Sequence, residues 1–244
     1  KWHTFAFELR VGEGVQYYLD GQPAGAFLAD TDTTSLGNVI LNVYNYGFDY
    51  DVYWDNFSTS GVSIVGQATV NASNVTFDGF NLSNPGATYG MLVNPGFSNV
   101  TITGNTFENI GGTAFNDNVK GIYLLSGPDN VKIEGNVFRN IHAGTKSVNA
   151  IYSGDSNATN PTEGLVIRSN VFENITSATK GGYGILLNNG ATTTTGGNPG
   201  AIIEGNSFDS ISGGWTHAIG LEGPTPNALI NRNVFSGLTA GSVD

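Results

Sequence analysis

One short segment recurs six times along the chain and limits what this sequence can fold into. Each copy begins with alternating apolar residues, continues through a Gly or Asn turn and closes on a Phe between polar residues. Strands this short cannot bury their inner faces alone, so successive copies must stack as the coils of a solenoid. The copies are NVTFDGFNLSN from Asn74, NVTITGNTFENI from Asn99, NVKIEGNVFRNI from Asn130, GLVIRSNVFENI from Gly164, GAIIEGNSFDSI from Gly200 and NALINRNVFSGL from Asn227.

A second apolar run follows each of the first five copies and adds a third strand to the repeat. We therefore predict an all-β chain in which residues 60–244 form a right-handed parallel β-helix of about six to seven coils. The second runs are YGMLVN from Tyr89, KGIYLLSG from Lys120, NAIYSGD from Asn149, YGILLNNG from Tyr183 and HAIGLEG from His217.

Stacking of the repeats predicts one column of Phe and one column of Asn. The Asn before each Phe is expected to adopt left-handed backbone geometry and to hydrogen-bond through its amide to the Asn of the next coil. In the first copy, Phe80 interrupts this pattern. The Phe column is Phe107, Phe138, Phe172, Phe208 and Phe235, with Leu82 at its N-terminal end. The Asn ladder is Asn105, Asn136, Asn170, Asn206 and Asn233.

These repeats resemble those of the right-handed parallel β-helix proteins, which include pectate lyases, alginate epimerases, phage tailspikes and bacterial surface proteins. The resemblance runs from about Asn74 to the C-terminus and rests on the string G-N-x-F-x-N-I. It implies a pectin-lyase-like β-helix, with carbohydrate as the most frequent kind of ligand. Because one fold carries many chemistries, function has to be argued from a site.

Residues 1–59 follow a different pattern and are expected to be the C-terminal strands of an antiparallel β-sandwich. WHTFAFELR alternates, the Asp20-Gly21 pair signals a hairpin, and NVILNVYN and YDVYWDNFSTS add two strands. Their order resembles the last strands of a laminin-G or concanavalin-like jelly roll. A complete sandwich needs more strands, so we expect the native chain to continue upstream of Lys1. We place the domain boundary near Thr59.

Composition narrows the classes of function. The net charge is −11 with nine Lys plus Arg, whereas phosphate binding needs clustered cations, so we expect no nucleic-acid partner. No apolar run is long enough to cross a bilayer, so no membrane insertion is expected. The chain has no Cys, which excludes disulfides and is compatible with a secreted or cell-surface bacterial protein.

Two outward columns carry charge in the order acid, Arg, acid. Glu134 and Glu204 are expected to lie two coils apart, about 9 to 10 Å, near the upper range for an inverting glycosidase pair. Because Arg168 lies between them and would pair with both, we interpret this column as a structural ladder. The second column is Glu108, Arg139, Glu173, Asp209 and Ser236.

A third outward column mixes residue types and is the candidate binding surface. Structural columns usually repeat one residue type, and aromatic rings beside polar groups are a common way to hold sugars. The loops 154–163 and 188–199 leave the same strands and would wall a groove. The predicted carbohydrate-binding residues are Tyr89, Lys120, Tyr123, Asn149, Tyr152, Tyr183, Trp215 and His217.

Lys120, Tyr183 and His217 are weak candidates for catalysis. Uronate lyases and epimerases need a base for the C5 proton and a group that neutralises the carboxylate. No acidic cluster accompanies these residues, and the His residues lack metal-ligand spacing. We therefore expect no cofactor and no metal site, with Ca²⁺ left open at Asp49, Asp51 and Asp55 or in the Asp155 loop.

We favour a non-catalytic structural or adhesive protein, secreted or on the cell surface, that is associated with carbohydrate. Its expected partners are a polysaccharide or cell-surface glycan, or neighbouring copies of itself. The alternative is a polysaccharide lyase, epimerase or glycoside hydrolase that acts on an extended glycan along the β-helix. Whether the chain is an enzyme stays open at the level of sequence.

Overall fold

The computed structural model of this chain describes residues 5–10, 14–29, 40–41, 57–58, 63–155, 157–192 and 196–241. Within those ranges all regular secondary structure is β-strand. The chain divides into two compact units, Lys1–Leu36 and Gly37–Asp244. The predicted all-β class is confirmed.

The first unit contains a four-stranded antiparallel sheet. Asp20 and Gly21 join two of its strands, and both have positive φ, at 51° and 78°, as a tight hairpin turn requires. The predicted hairpin is therefore present, while the likeness of residues 1–59 to a jelly roll stays a prediction. The strands are β1 (Phe5–Arg10), β2 (Gly14–Leu19), β3 (Gln22–Pro23) and β4 (Leu28–Ala29).

The second unit carries the remaining strands. In chain order they are β5 (Ile40–Leu41), β6 (Phe57–Ser58), β7 (Ser63–Val65), β8 (Ala68–Val70), β9 (Val75–Asp78), β10 (Asn81–Pro85), β11 (Tyr89–Val93), β12 (Val100–Thr103), β13 (Thr106–Gly111), β14 (Val119–Leu124), β15 (Lys132–Glu134), β16 (Val137–Ala143), β17 (Val148–Ser153), β18 (Val166–Arg168), β19 (Val171–Ser177), β20 (Gly181–Leu187), β21 (Ile202–Glu204), β22 (Ser207–Gly213), β23 (Trp215–Leu221), β24 (Leu229–Asn231), β25 (Val234–Phe235) and β26 (Thr239–Ala240).

These strands form three parallel sheets, and each complete coil contributes one strand to each sheet in turn. Sheets 1 and 3 have seven strands each, in agreement with the predicted number of coils. Sheet 1 is β6, β9, β12, β15, β18, β21 and β24. Sheet 2 is β7, β10, β13, β16, β19, β22 and β25, with β26 beside β22. Sheet 3 is β5, β8, β11, β14, β17, β20 and β23. The second unit is therefore a parallel β-helix, as predicted.

Two short strands that we assigned to the jelly roll pair with the β-helix instead. Ile40 in β5 pairs in parallel with Thr69, and Phe57 in β6 pairs in parallel with Phe77. The division between the compact units accordingly lies at Leu36, before the predicted boundary near Thr59. Alternating apolar residues occur in parallel and antiparallel strands alike, so the sequence pattern did not distinguish the two.

The predicted Phe column runs through the core behind sheet 2. The rings of Phe107, Phe138, Phe172 and Phe208 are fully buried and stack with centroids 4.9, 5.0 and 4.6 Å apart. Phe235 continues the stack at 5.3 Å. Phenylalanines at the same position of successive repeats are therefore neighbours in the structure.

The Asn ladder is confirmed, but its predicted backbone geometry is wrong. The Oδ1 atom of Asn170 accepts hydrogen bonds from the backbone N–H and the Nδ2 of Asn136, at 2.9 and 3.0 Å. The left-handed residue is the one before each ladder Asn, for example Gly135 at φ 65° and Ser169 at φ 56°. The ladder Asn itself thus has a negative φ, and its side chain accepts a backbone N–H at the turn of the neighbouring coil.

No helix in the described part of the chain is long and apolar enough to cross a membrane.

Candidate functional site

Five of the seven strands in sheet 3 carry a small residue directly after the first candidate position, in one column. The column contains Gly90, Gly121, Ala150, Gly184 and Ala218, and a Cβ on Gly121 would lie 2.4 Å from the Ala150 carbonyl oxygen. On either side of this column, strand registers align two outward columns. The first is Tyr89, Lys120, Asn149, Tyr183 and His217, and the second is Leu92, Tyr123, Tyr152, Leu186 and Gly220.

All residues of the predicted binding set lie on sheet 3, and the column order is the predicted one. We call this surface the tyrosine face, defined as Tyr89, Lys120, Tyr123, Asn149, Tyr152, Tyr183, Trp215 and His217. Their role in binding stays a prediction, because the register fixes only which side chains are neighbours.

Tyrosine rings surround the ammonium of Lys120. The Nζ atom lies 5.0 Å from the centroid of Tyr89, 4.8 Å from Tyr123 and 5.1 Å from Tyr152. Tyr123 itself lies 5.3 Å from each of the other two rings, centroid to centroid. Such cation–π contacts stabilise the ammonium and hold the three rings as one packed row.

Burial shifts the pKa values of this row. Desolvation lowers the pKa of Lys120, and the negative charge of Asp117 opposes that shift. Desolvation also raises the pKa of Tyr123, with further upward effects from Tyr152, Tyr89 and Asp155. The phenol of Tyr123 therefore stays protonated at neutral pH, which suits a hydrogen-bonding or packing role and not that of a base.

A second polar group lies at the C-terminal end of the face. The Nε1–H of Trp215 donates to the Tyr183 hydroxyl at 2.8 Å, and that hydroxyl donates to Glu222 Oε1 at 3.3 Å. The rings of Tyr183 and His217 stack 5.2 Å apart, and Lys180 lies 5.5 Å from the Trp215 ring. Desolvation is the largest cause that raises the pKa of Tyr183, so this hydroxyl stays protonated.

The three catalytic candidates do not converge on one point. Tyr183 and His217 are in contact, but Asn149 lies between Lys120 and Tyr183 in the register. With strands about 4.8 Å apart, Lys120 and His217 are about 14 Å apart along the sheet. The strand that carries Asn149 therefore separates Lys120 from the Tyr183 and His217 pair.

Two amide oxygens near the face have no hydrogen-bond partner. The residue Asn149 is only 3% exposed, and its Oδ1 atom accepts no hydrogen bond. Asn188 follows β20, and its Nδ2 donates to the Tyr152 hydroxyl at 3.1 Å while its Oδ1 is unpartnered. Asn188 and Glu222 were not assigned to the site from the sequence, although each lies near the end of a second run of the repeat, in YGILLNNG and HAIGLEG.

A buried amide network ties the two long loops together. Asn189 donates through Nδ2 to the carbonyl oxygens of Asn160 and Gly197, at 2.9 and 2.8 Å. Ser153 donates to Asn198 Oδ1 at 2.6 Å. Ser153, Asn189 and Asn198 are all buried. The described parts of loops 154–163 and 188–199 are therefore fixed to each other, and their role as walls of a groove stays a prediction.

The acidic column on sheet 1 is a charge ladder. Arg168 lies between Glu134 and Glu204 in the register and forms ion pairs with them at 3.7 and 3.3 Å. On sheet 2, Arg139 pairs with Glu108 at 2.7 Å. These contacts agree with the structural interpretation of both columns, because each of these carboxylates forms an ion pair with an Arg on the neighbouring strand.

No group of three or more His, Asp or Glu comes together within the described ranges. Asp155 caps its own loop, since its Oδ1 accepts the backbone N–H of Asn157 at 3.0 Å. The other residues proposed for Ca²⁺, at positions 49, 51 and 55, lie outside the described residues.

Comparison of this chain with protein-family models, with curated proteins and with solved structures gives no match.

Proposed function

We propose that this chain is an extracellular or cell-surface β-helix protein that binds an extended polysaccharide on its tyrosine face without converting it. The observation that carries the proposal is the packed row of Tyr89, Tyr123 and Tyr152 on the outside of sheet 3. Sugar rings have apolar faces that pack against aromatic rings, and nearby polar groups fix their orientation.

The architecture supports an extended ligand. The tyrosines come from successive coils, so their row follows the stacking direction of the β-helix. Side chains on paired strands are held more rigidly than side chains on loops, which lowers the entropic cost of binding. The resemblance to pectin-lyase-like repeats also favours carbohydrate as the ligand class, and with it the expected secreted or surface location.

Catalysis is less well supported than binding. A lyase or epimerase needs a base close to its proton donor, whereas Lys120 and His217 are about three strand spacings apart, or about 14 Å. Tyr183 adjoins His217, but burial raises the pKa of Tyr183 and so opposes its ionisation. The polysaccharide lyase, epimerase or hydrolase remains the alternative that the experiment has to address.

Affinity electrophoresis on a panel of neutral and uronate polysaccharides tests the proposal. We expect the wild-type chain to be retarded by at least one of them. The Tyr152→Ala variant should lose about tenfold in affinity, because it removes a ring from the row. Tyr152→Phe is the matched control and should retain most of the binding, since it keeps the ring.

Two results would contradict the proposal. One is an absence of retardation on every polysaccharide by a folded wild-type protein. The other is release of unsaturated or reducing ends that disappears in His217→Ala, which would establish the catalytic alternative.

A further inference from the structure

The last coil that the structure describes leaves its apolar inner face uncovered. We call residues 224–241 the terminal coil. Three of its inner side chains are about half exposed, at 45%, 49% and 43%, and they are in order Ile230, Phe235 and Leu238. At the same positions of the preceding coil, Ile203, Phe208 and Ile211 are fully buried. The terminal coil therefore presents core side chains of the β-helix as a surface.

The same coil has an open backbone edge. In the preceding coil the backbone N–H of the ladder residue Asn206 donates to Asn233 Oδ1 at 3.0 Å. Asn233 belongs to the terminal coil, and no ladder Asn follows it in the described residues. Strands β24, β25 and β26 contain neither Pro nor a charged residue, which are common protections of an edge strand against pairing. This edge can therefore pair with strands of another molecule.

Charge does not oppose contact between two terminal coils. The chain carries a net charge of −11, which makes copies of it repel one another in general. From Gly223 to Gly241, however, Arg232 is the only charged residue of the sequence, and it lies 4.0 Å from Glu204. Two copies can therefore approach through their terminal coils without setting carboxylates of these coils against each other.

The opposite end of the β-helix is already covered in the described residues. Ile64 of β7 is fully buried, and Ala68 and Val70 of β8 are almost fully buried. In the described part of the β-helix, the open apolar end is therefore the one formed by the terminal coil. A contact between two such ends is isologous and closes after two copies, whereas a head-to-tail contact would continue into a filament.

We propose that two copies of this chain associate through their terminal coils, end to end and related by a two-fold axis. The inner side chains of each terminal coil are then covered by those of the other, and the removal of this apolar surface from water stabilises the dimer. A contact of standard size takes about 20 to 30 residues from each side, and the terminal coil together with the free edge of β23 supplies a set of that size. The association does not require the tyrosine face, because that face lies on the outside of sheet 3.

The first test is the mass of the full chain in solution. Sedimentation equilibrium at up to about 100 μM is sufficient, since contacts of standard size have dissociation constants of micromolar or lower. We expect a species with twice the 25.6 kDa mass of the chain. A monomer throughout this range would contradict the contact, and continued growth to larger species would contradict its two-fold symmetry.

The second test places a charge in the proposed contact. Ile230→Glu should weaken the dimer by at least about tenfold, because it buries a carboxylate in the apolar contact from each side. Leu229→Glu is the matched control and should leave the dimer unchanged, because Leu229 is 48% exposed but pairs with Ile202 in an outward column of sheet 1. Melting temperatures establish whether the variants fold, and Leu238→Glu replaces Ile230→Glu if that variant does not.

The third test shows which ends meet. The chain has no Cys, so a fluorophore can be attached to a single introduced Cys. Ser236 lies in the terminal coil, and Ser63 lies in β7, six strand spacings or about 29 Å away along the stack. Energy transfer between copies should be efficient for Ser236→Cys and weak for Ser63→Cys, whose labels would be about 60 Å apart in the dimer.

A dimer unaffected by folded Ile230→Glu, or by folded Leu238→Glu in its place, would overturn this inference. Stronger energy transfer from Ser63→Cys than from Ser236→Cys would overturn it as well. Glycan binding by the tyrosine face is measured separately, so failure of the dimer and failure of the proposed function are distinct results.

Discussion

At the scale of single residues, the ladder Asn side chains form hydrogen bonds with backbone groups of the neighbouring coil. Asn170 donates through Nδ2 to the Ile133 carbonyl at 2.8 Å and accepts the backbone N–H of Asn136 at 2.9 Å. The backbone N–H of Asn136 would be buried without a bond if the amide were removed. Asn therefore recurs before each Phe because its side-chain amide forms the hydrogen bonds that the buried backbone of the turn needs.

Replacing Asn170 by Ala should lower the free energy of unfolding by about 1 to 3 kcal/mol, since it leaves the buried backbone N–H of Asn136 without an acceptor. Urea denaturation measures this change. Asn231→Ala, at an exposed position on sheet 1, is the control and should cost no more than about 0.5 kcal/mol. A loss in Asn170→Ala no larger than in the control would refute the structural role of the ladder.

The second residue-scale prediction concerns His142. Desolvation lowers its pKa in the folded protein, and its Nδ1 is hydrogen-bonded to the Thr176 hydroxyl. The unfolded chain therefore binds the proton more readily, starting near its ordinary pKa of about 6.5. Stability from this group is complete above that pH and is lost as the pH falls towards the folded pKa.

Melting temperatures measured between about pH 7.5 and pH 5.5, on either side of the ordinary His pKa, test this effect. The wild-type value should fall over this interval, and in His142→Gln it should fall less, because Gln has no proton to gain. Equal slopes in the two proteins would show that His142 does not contribute to the pH dependence.

At the scale of strands, charge order sets a small part of the stability of sheet 1. Arg168 is 44% exposed and pairs with acids on both neighbouring strands. Exposed pairs contribute only tenths of a kcal/mol each, so the ladder matters more for register than for total stability.

Arg168→Glu should destabilise the β-helix by about 1 kcal/mol, because it removes two attractions and places like charges on three successive strands. Arg168→Gln removes the attraction alone and should cost less. Thermal unfolding in low and high salt measures both, and the difference between the variants should shrink in high salt. An unchanged melting temperature for Arg168→Glu would show that the charge ladder does not contribute to stability.

The repeats made most of the strand arrangement predictable. Phe138 and Phe172 could be placed as neighbours because both occupy the same position in their copies. The left-handed geometry was assigned to the wrong residue, since Asn and Gly both favour it and Gly135 precedes Asn136 directly. The membership of β5 and β6 in the β-helix was also missed, because those strands lack the repeat pattern.

The candidate site could be predicted only in part. Tyr89 and Lys120 share a repeat position, so their adjacency followed from the sequence. The contact of the Lys120 ammonium with three tyrosine rings could not be predicted, because it depends on the side-chain conformations. Unpartnered atoms such as Asn149 Oδ1 become visible only when all neighbours are in place.

At the scale of the whole molecule, the β-helix presents three outer faces with different chemistry. Sheet 1 carries the ladder around Arg168, sheet 2 carries the pair Arg139 and Glu108, and sheet 3 carries the tyrosine face. We expect only the tyrosine face to bind the ligand, so that sheets 1 and 2 stay accessible in the complex.

Hydroxyl-radical footprinting of the whole chain, read by mass spectrometry, tests this claim most directly. The wild-type protein is labelled with and without a saturating amount of a polysaccharide that it binds. We predict that oxidation of Tyr89, Tyr123, Tyr152 and Trp215 falls in the presence of that polysaccharide, while oxidation of exposed Leu229 on sheet 1 does not change. Unchanged labelling of the tyrosine face at saturation, or protection of sheet 1 in its place, would contradict the account.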